Sequence, residues 1–162
     1  MANKILEQKI VDNNNRALIK YVILPDGTAT ANSILVDASS LSQAMNANNQ
    51  LMVANTHPRA TYRTTIKRIY GNAKANGYYS LKWHGSTNSE IITITSGIFD
   101  YNFDAAGLAA SIPNNEANPS GDILLSAFNP AAGDAITLFI DLKKDAGDFN
   151  AGQLNDPTAF NR

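Results

Sequence analysis

The most constraining stretch of this chain runs from Ser120 to Lys144. Its second half alternates strictly: Ile136, Leu138, Ile140 and Leu142 fall on one side, Thr137, Phe139, Asp141 and Lys143 on the other. A period of two is that of a β-strand with one buried face. The first half, Ile-Leu-Leu-Ser-Ala-Phe from Ile123, is a shorter apolar run, and the linker from Asn129 to Gly133 carries a Pro and a Gly. Those residues set turn backbone angles. A Gly-Asp pair precedes each run, at Gly121-Asp122 and Gly133-Asp134. Gly tolerates positive φ, and a short Asp side chain bonds nearby backbone amides. The stretch predicts a β-hairpin, and nothing in it has a catalytic pattern.

The same texture recurs along the chain. Strands are predicted over 4–12, over 16–24 up to the turn Pro25-Asp26-Gly27, and over 28–36. A short helix follows over 37–45, with Asp37 or Ser39 as N-cap, and Leu51-Met-Val53 reads as a brief strand. Residues 60–70 read as a strand with Tyr62, Thr64, Ile66, Arg68 and Tyr70 on one face, and 71–77 as a turn. Residues 78–84 place Tyr79, Leu81 and Trp83 together; short strands over 90–95 and 97–103 and a loop over 104–119 complete the pattern. About eight short strands with turn signals between them, and no long helical period, point to an all-β sandwich or a jelly-roll-like barrel. At 162 residues one domain is expected, spanning 1–144. Beyond Lys144 the sequence turns polar and turn-rich, so 145–162 is expected to be a flexible C-terminal tail or arm. Phe149, Leu154 and Phe160 are spaced along it like separate anchors for a partner.

Several chemistries find no support in the residues. There is no cysteine, which excludes disulfides, thiolate metal sites and a cysteine nucleophile. No Gly-rich phosphate loop, nucleophile elbow or HExxH occurs. His57 and His84 have no visible partners of the kind a triad or zinc site needs. Asp100-Tyr-Asn102-Phe-Asp104 begins like a calcium loop, but Ala105 and Ser111 stand where that loop needs Gly and Glu. No catalytic residue, cofactor or metal is therefore expected, and the chain is not read as an enzyme. The N-terminus turns charged before any apolar signal core forms, and no apolar run approaches the ~20 residues of a membrane span. A soluble protein starting near Met1, without a membrane partner, is expected.

A net charge of −1 conceals segregation. Residues 1–37 are neutral, 38–89 carry +6 with no Asp or Glu, and 90–162 carry −7. Such a map suits a partner of defined sign or complementarity between strands. The basic segment interleaves with Tyr62, Tyr70, Tyr78, Tyr79 and Trp83. Bases and aromatics on a sheet can bind single-stranded nucleic acid or glycan, but both also simply suit strands. A pI near 6.1 argues against a dedicated nucleic-acid binder. Candidate partner contacts are Arg59, Arg63, Arg68, Phe149, Leu154 and Phe160.

Tyr79-Ser-Leu-Lys-Trp83-His-Gly, Ile91-Ile-Thr-Ile-Thr-Ser-Gly97, Ser120-Gly-Asp-Ile-Leu-Leu-Ser126, Gly133-Asp134 and Ile136 to Lys144 together resemble small virion proteins of tailed bacteriophages, of the capsid decoration or cement type. The resemblance spans residues 78–144, and its motifs are turns and strands rather than reactive groups. It implies a structural protein located in the virion, whose partner is the major capsid protein or another virion protein, with a homo-oligomer possible. The alternatives are a phage tail-associated structural protein, or a nucleic-acid- or glycan-binding β module.

Overall fold

A computed structural model of the chain describes residues 3–52, 57–105, 110–111 and 117–149. In chain order the strands are β1 (Lys4–Asp12), β2 (Arg16–Leu24), β3 (Thr30–Val36), β4 (Thr64–Lys74), β5 (Tyr78–Trp83), β6 (Glu90–Ile94), β7 (Gly97–Asn102), β8 (Ala110–Ser111), β9 (Ile123–Phe128) and β10 (Ala135–Lys144). The helix expected after Asp37 shrinks to a 3₁₀ turn, Ala38–Ser40, whose N-cap Asp37 accepts the Ser39 N–H at 2.9 Å. Leu51 makes one bridge to Met45, while Val53 lies outside the described residues.

The strands form two antiparallel sheets. The larger has the order β1-β2-β10-β4-β7, with β8 also on β4; the smaller has the order β3-β9-β5-β6. The pairs are nested: β2 with β10, β3 with β9, β4 with β7, and β5 with β6. The chain thus behaves as one long ribbon closed at the β5–β6 turn and folded across two layers. The core between the sheets takes Ala17, Ile19, Tyr21 and Ile23 from β2, Ile66, Ile69 and Ala73 from β4, and Ile136, Leu138, Ile140 and Leu142 from β10. Tyr79, Leu81 and Trp83 of β5 and Ile123, Leu125 and Ala127 of β9 face them. The alternation that predicted β10 is its burial pattern. The fold is all-β, sandwich-like and a single domain.

Three expectations need correction. First, β9 and β10 are not a hairpin. They belong to different sheets, and the turn at 129–134 carries the chain across the core. Local sequence specified two strands and a turn, but not the partner. The turn is held by Asp134, whose buried carboxylate accepts the Ala131 N–H (2.9 Å), the Asn76 N–H (3.1 Å) and side chain (2.9 Å), and the Tyr79 hydroxyl (3.1 Å). Burial raises its pKa, but these donors outweigh burial and leave it below the ordinary carboxylate range.

Second, the strand expected over 60–70 is displaced to 64–74 and carries a bulge. Opposite β10, Arg68 pairs with Asp141 but the next pair is Ile66 with Leu142, so Lys67 is the extra residue. Ile66 and Ile69 both point inward, and Arg68 and Tyr70 are turned to the outer face. Gly71 lies inside the strand, not in a turn. A Cβ there would meet the Thr137 carbonyl oxygen of β10 at 2.0 Å, so only glycine permits this approach.

Third, residues 145–149 are not tail. Asp145 begins a helical turn in which its carbonyl accepts the Asp148 and Phe149 N–H groups, both at 3.1 Å. Phe149 is 0% exposed, packed on the Tyr62 ring at 5.5 Å between centroids and beneath the Lys144 ammonium. The domain therefore extends to Phe149 at least. Leu154 and Phe160 lie outside the described residues.

Candidate functional site

The exposed feature of the molecule with the most chemistry is the outer face of the larger sheet, which no other described element covers. Registers across it define a row: Lys20 of β2, Phe139 of β10, Tyr70 of β4 and Asp100 of β7 stand side by side. Phe139 and Tyr70 stack at 4.7 Å with their planes 3° apart. The Lys20 ammonium lies 5.9 Å from the Phe139 centroid, and the Arg68 guanidinium 4.6 Å from that of Tyr70. Each ring is thus stacked on the other and has a cation close to its centroid.

Charged forks flank the row. Arg68 donates two bonds to Asp100 (2.8 and 2.6 Å), and Arg16 two to Asp141 (2.8 and 2.9 Å). The hydrogen bonds donated by Arg68 hold the Asp100 carboxyl below its usual range, and those that Arg16 donates to Asp141 raise the Arg16 pKa. The adjacent row is Val22, Thr137, Asn72 and Ile98, and Ile98 is 88% exposed. This is a broad surface, not a cleft. It is suited to contact with another surface rather than to enclosing a small molecule.

The expected contact residues do not converge there. Arg59 and Arg63 both reach Asp148, at 3.0 and 2.9 Å, beside the buried Phe149. Arg59 also donates to the Asn46 carbonyl (3.2 Å) and to the Asn49 side chain, and Arg63 bonds Asp145 (3.0 Å). Arg59 thereby joins the 44–50 loop to the 145–149 turn, and Arg63 is paired with two acids of that same turn. Phe149, being core, offers nothing to a partner. Of the expected contacts among the described residues, Arg68 alone lies on the open face, and it got there through the bulge at Lys67. Lys20, Phe139 and Ile98 were not anticipated; the alternation of β10 had already set Phe139 opposite the apolar stripe, which was the available signal.

The charge segregation resolves as complementarity between the two segments within the chain. Arg59, Arg63, Lys67 and Arg68 from the basic segment pair with Asp148, Asp104 and Asp100 from the acidic one. The same pairs account for the calcium-like motif: Asp100 and Asp104 take Arg68 and Lys67, and Asn102 accepts the Ala105 N–H at 3.0 Å. Among the described residues no group of three or more His, Asp or Glu is placed to hold a metal.

His84 meets Ser120 and Asp122, residue types of a hydrolytic triad. The arrangement differs from one. The Ser120 hydroxyl lies 3.0 Å from His84 Nδ1 and donates to Asp122 at 2.8 Å, while Asp122 lies 3.3 Å from the same His84 nitrogen. A triad places the histidine between the other two, using both ring nitrogens. Here the cluster ties segments together. Asp122 accepts the Ala38 N–H (2.9 Å), its carbonyl accepts the His84 N–H (3.0 Å), and the Ser120 N–H donates to the His84 carbonyl (3.1 Å). His57 sits apart, in the 57–60 loop at positive φ.

Comparison with protein families, with characterised proteins and with solved structures finds no match to this chain.

Proposed function

We propose that this protein is a structural component of a tailed-phage virion, a decoration protein that binds the assembled head shell. The observation that carries the reading is the open outer face of the larger sheet, with its Lys20–Phe139–Tyr70–Asp100 row and the exposed Ile98. It has the chemistry of a docking surface: aromatic and apolar groups flanked by paired charges. The strand order β2-β10-β4-β7 over β3-β9-β5-β6 adds support at the level of analogy. We read that order as an eight-stranded jelly roll, a fold found in viral capsid domains among others. The resemblance over residues 78–144 points the same way.

The action is mass action. A protein that binds only the assembled lattice stabilises it by RT ln(1 + [L]/Kd), about 2.7 kcal/mol per site at a hundredfold excess over Kd. A nucleic-acid reading is weaker, because Tyr70 and Phe139 stack on each other with Arg68 and Lys20 beside them, which leaves less aromatic face for a base.

Co-sedimentation with purified heads tests the proposal. Ile98→Asp and Phe139→Ser are expected to abolish co-sedimentation, with Ile98→Asp leaving the melting temperature unchanged. A protein missing from purified virions by mass spectrometry, or one that ignores heads altogether, refutes it.

A further inference from the structure

Among the described residues the larger sheet ends in β1 on one side and β7 on the other, and the sequence of β1 is complementary to itself. Strand β1 pairs with β2 on one side, and among the described residues nothing pairs with the other. It lies outside the nested ribbon, and every residue from Lys4 to Ile10 is exposed. Leu6 and Ile10 are 48% and 47% exposed. A long unpaired edge bearing apolar residues is a template for another strand.

Symmetry limits which strand fits. A second copy added antiparallel about a two-fold axis normal to the sheet keeps each side chain on its own face. Residues can then pair only with residues of the same face, which fixes the parity of the register. The pairing to β2 sets the faces: Glu7 and Lys9 lie opposite the inward-pointing Tyr21 and Ile19, and Leu6 and Gln8 opposite Val22 and Lys20 of the outer face. With the axis at Gln8, Glu7 of each copy meets Lys9 of the other on the inner face. Leu6 meets Ile10 on the outer face, and Gln8 meets Gln8. Moving the axis to the next permitted position on either side sets Glu7 against Glu7 or Lys9 against Lys9. Like charges directly opposite are destabilising, and opposite charges favourable. The register slip between Lys9 and Val11 ends the match at Ile10.

We propose that the protein forms a two-fold dimer by antiparallel pairing of β1 with β1 of a second copy, centred on Gln8. The two larger sheets become one continuous sheet, and the outer faces of both copies point the same way. This is independent of what that face binds. Existing contacts leave both groups within reach of a second copy: Glu7 accepts from the Tyr21 hydroxyl at 3.3 Å, and Lys9 donates to the Ser40 carbonyl at 2.9 Å and stands 3.6 Å from the Asp12 carboxylate, and both Glu7 and Lys9 are exposed residues.

Sedimentation of the full chain across micromolar to millimolar concentration tests the dimer, and charge exchange tests the register. E7K and K9E alone are each expected to weaken self-association at least about tenfold. Mixed together the two single variants should form a heterodimer, because each supplies the charge the other lacks. The double variant E7K/K9E should recover self-association. The chain has no cysteine, so Q8C should give a single disulfide-linked dimer on mild oxidation. Thermal melts of each variant separate loss of pairing from loss of fold. A wild-type chain that stays monomeric throughout overturns the proposal. So does a dimer indifferent to the charge exchange, or single variants that do not pair when mixed.

Discussion

Replacing Phe149 by Ala tests whether the turn at 145–149 belongs to the core. Phe149 is 0% exposed, and its ring packs on Tyr62 and under Lys144. Lys144 is itself buried, with its ammonium donating to Asp12 and to the Asn13 (2.7 Å) and Ser42 (2.8 Å) carbonyls. Truncating Phe149 therefore opens a cavity beside a buried cation that has little room to relax. Burying such a side chain is worth about 1.5 to 3 kcal/mol by transfer alone. With the cavity added, Phe→Ala costs about 3 to 5 kcal/mol. For a chain of this size 1 kcal/mol moves the melting temperature by about 2 to 4 °C, so a loss of roughly 6 to 20 °C is expected. Calorimetry measures it directly, with Phe149→Leu as a milder companion. If F149A melts within about 2 °C of wild type but loses self-association or particle binding, the residue is a partner anchor and the core assignment is wrong.

Other perturbations follow from the packing. Trp83→Ala removes a ring only 2% exposed at the C-terminal end of β5 and should cost about 3 to 5 kcal/mol in chemical denaturation; an unchanged midpoint would place Trp83 outside the core. Gly71→Ala drives a Cβ into the Thr137 backbone oxygen 2.0 Å away, so β4 and β10 must separate. A loss above about 3 kcal/mol or insoluble expression is expected, and normal stability contradicts the close approach. Asp134 has a depressed pKa in the fold, so its contribution is complete above the unfolded value of about 3.9 and fades as pH falls through the lower folded value. Acid titration of Asp134→Asn against wild type should show a smaller stability loss below pH ~4 for the variant; identical acid limbs count against this.

Much of the local structure was legible. The bounds of β1, β2, β5 and β6, the Asp37 cap and the inward set Tyr79, Leu81 and Trp83 follow from period and turn residues. The open face was legible only in part. Phe139 was placed opposite the core stripe by alternation, but Arg68 and Tyr70 were assigned to the same face as Ile66, and a single extra residue at Lys67 separated them. The tail was misjudged for a related reason. Asp145 to Phe149 has no repeating pattern, and its burial depends on Tyr62, Arg59 and Arg63, far away in sequence.

By itself the sequence determined that this is an all-β chain without disulfides, with strands whose inner faces are marked by alternation. Those properties depend on residues one or two positions apart, which a linear reading sees. The tertiary structure decided the rest: that β9 and β10 part into different sheets, that a bulge sends Arg68 and Tyr70 outward, and that basic and acidic segments neutralise each other. Strand partners, bulges and ion pairs are set by backbone groups and charges brought together from distant parts of the chain. Their free energies arise only once the two sheets have closed on a common core.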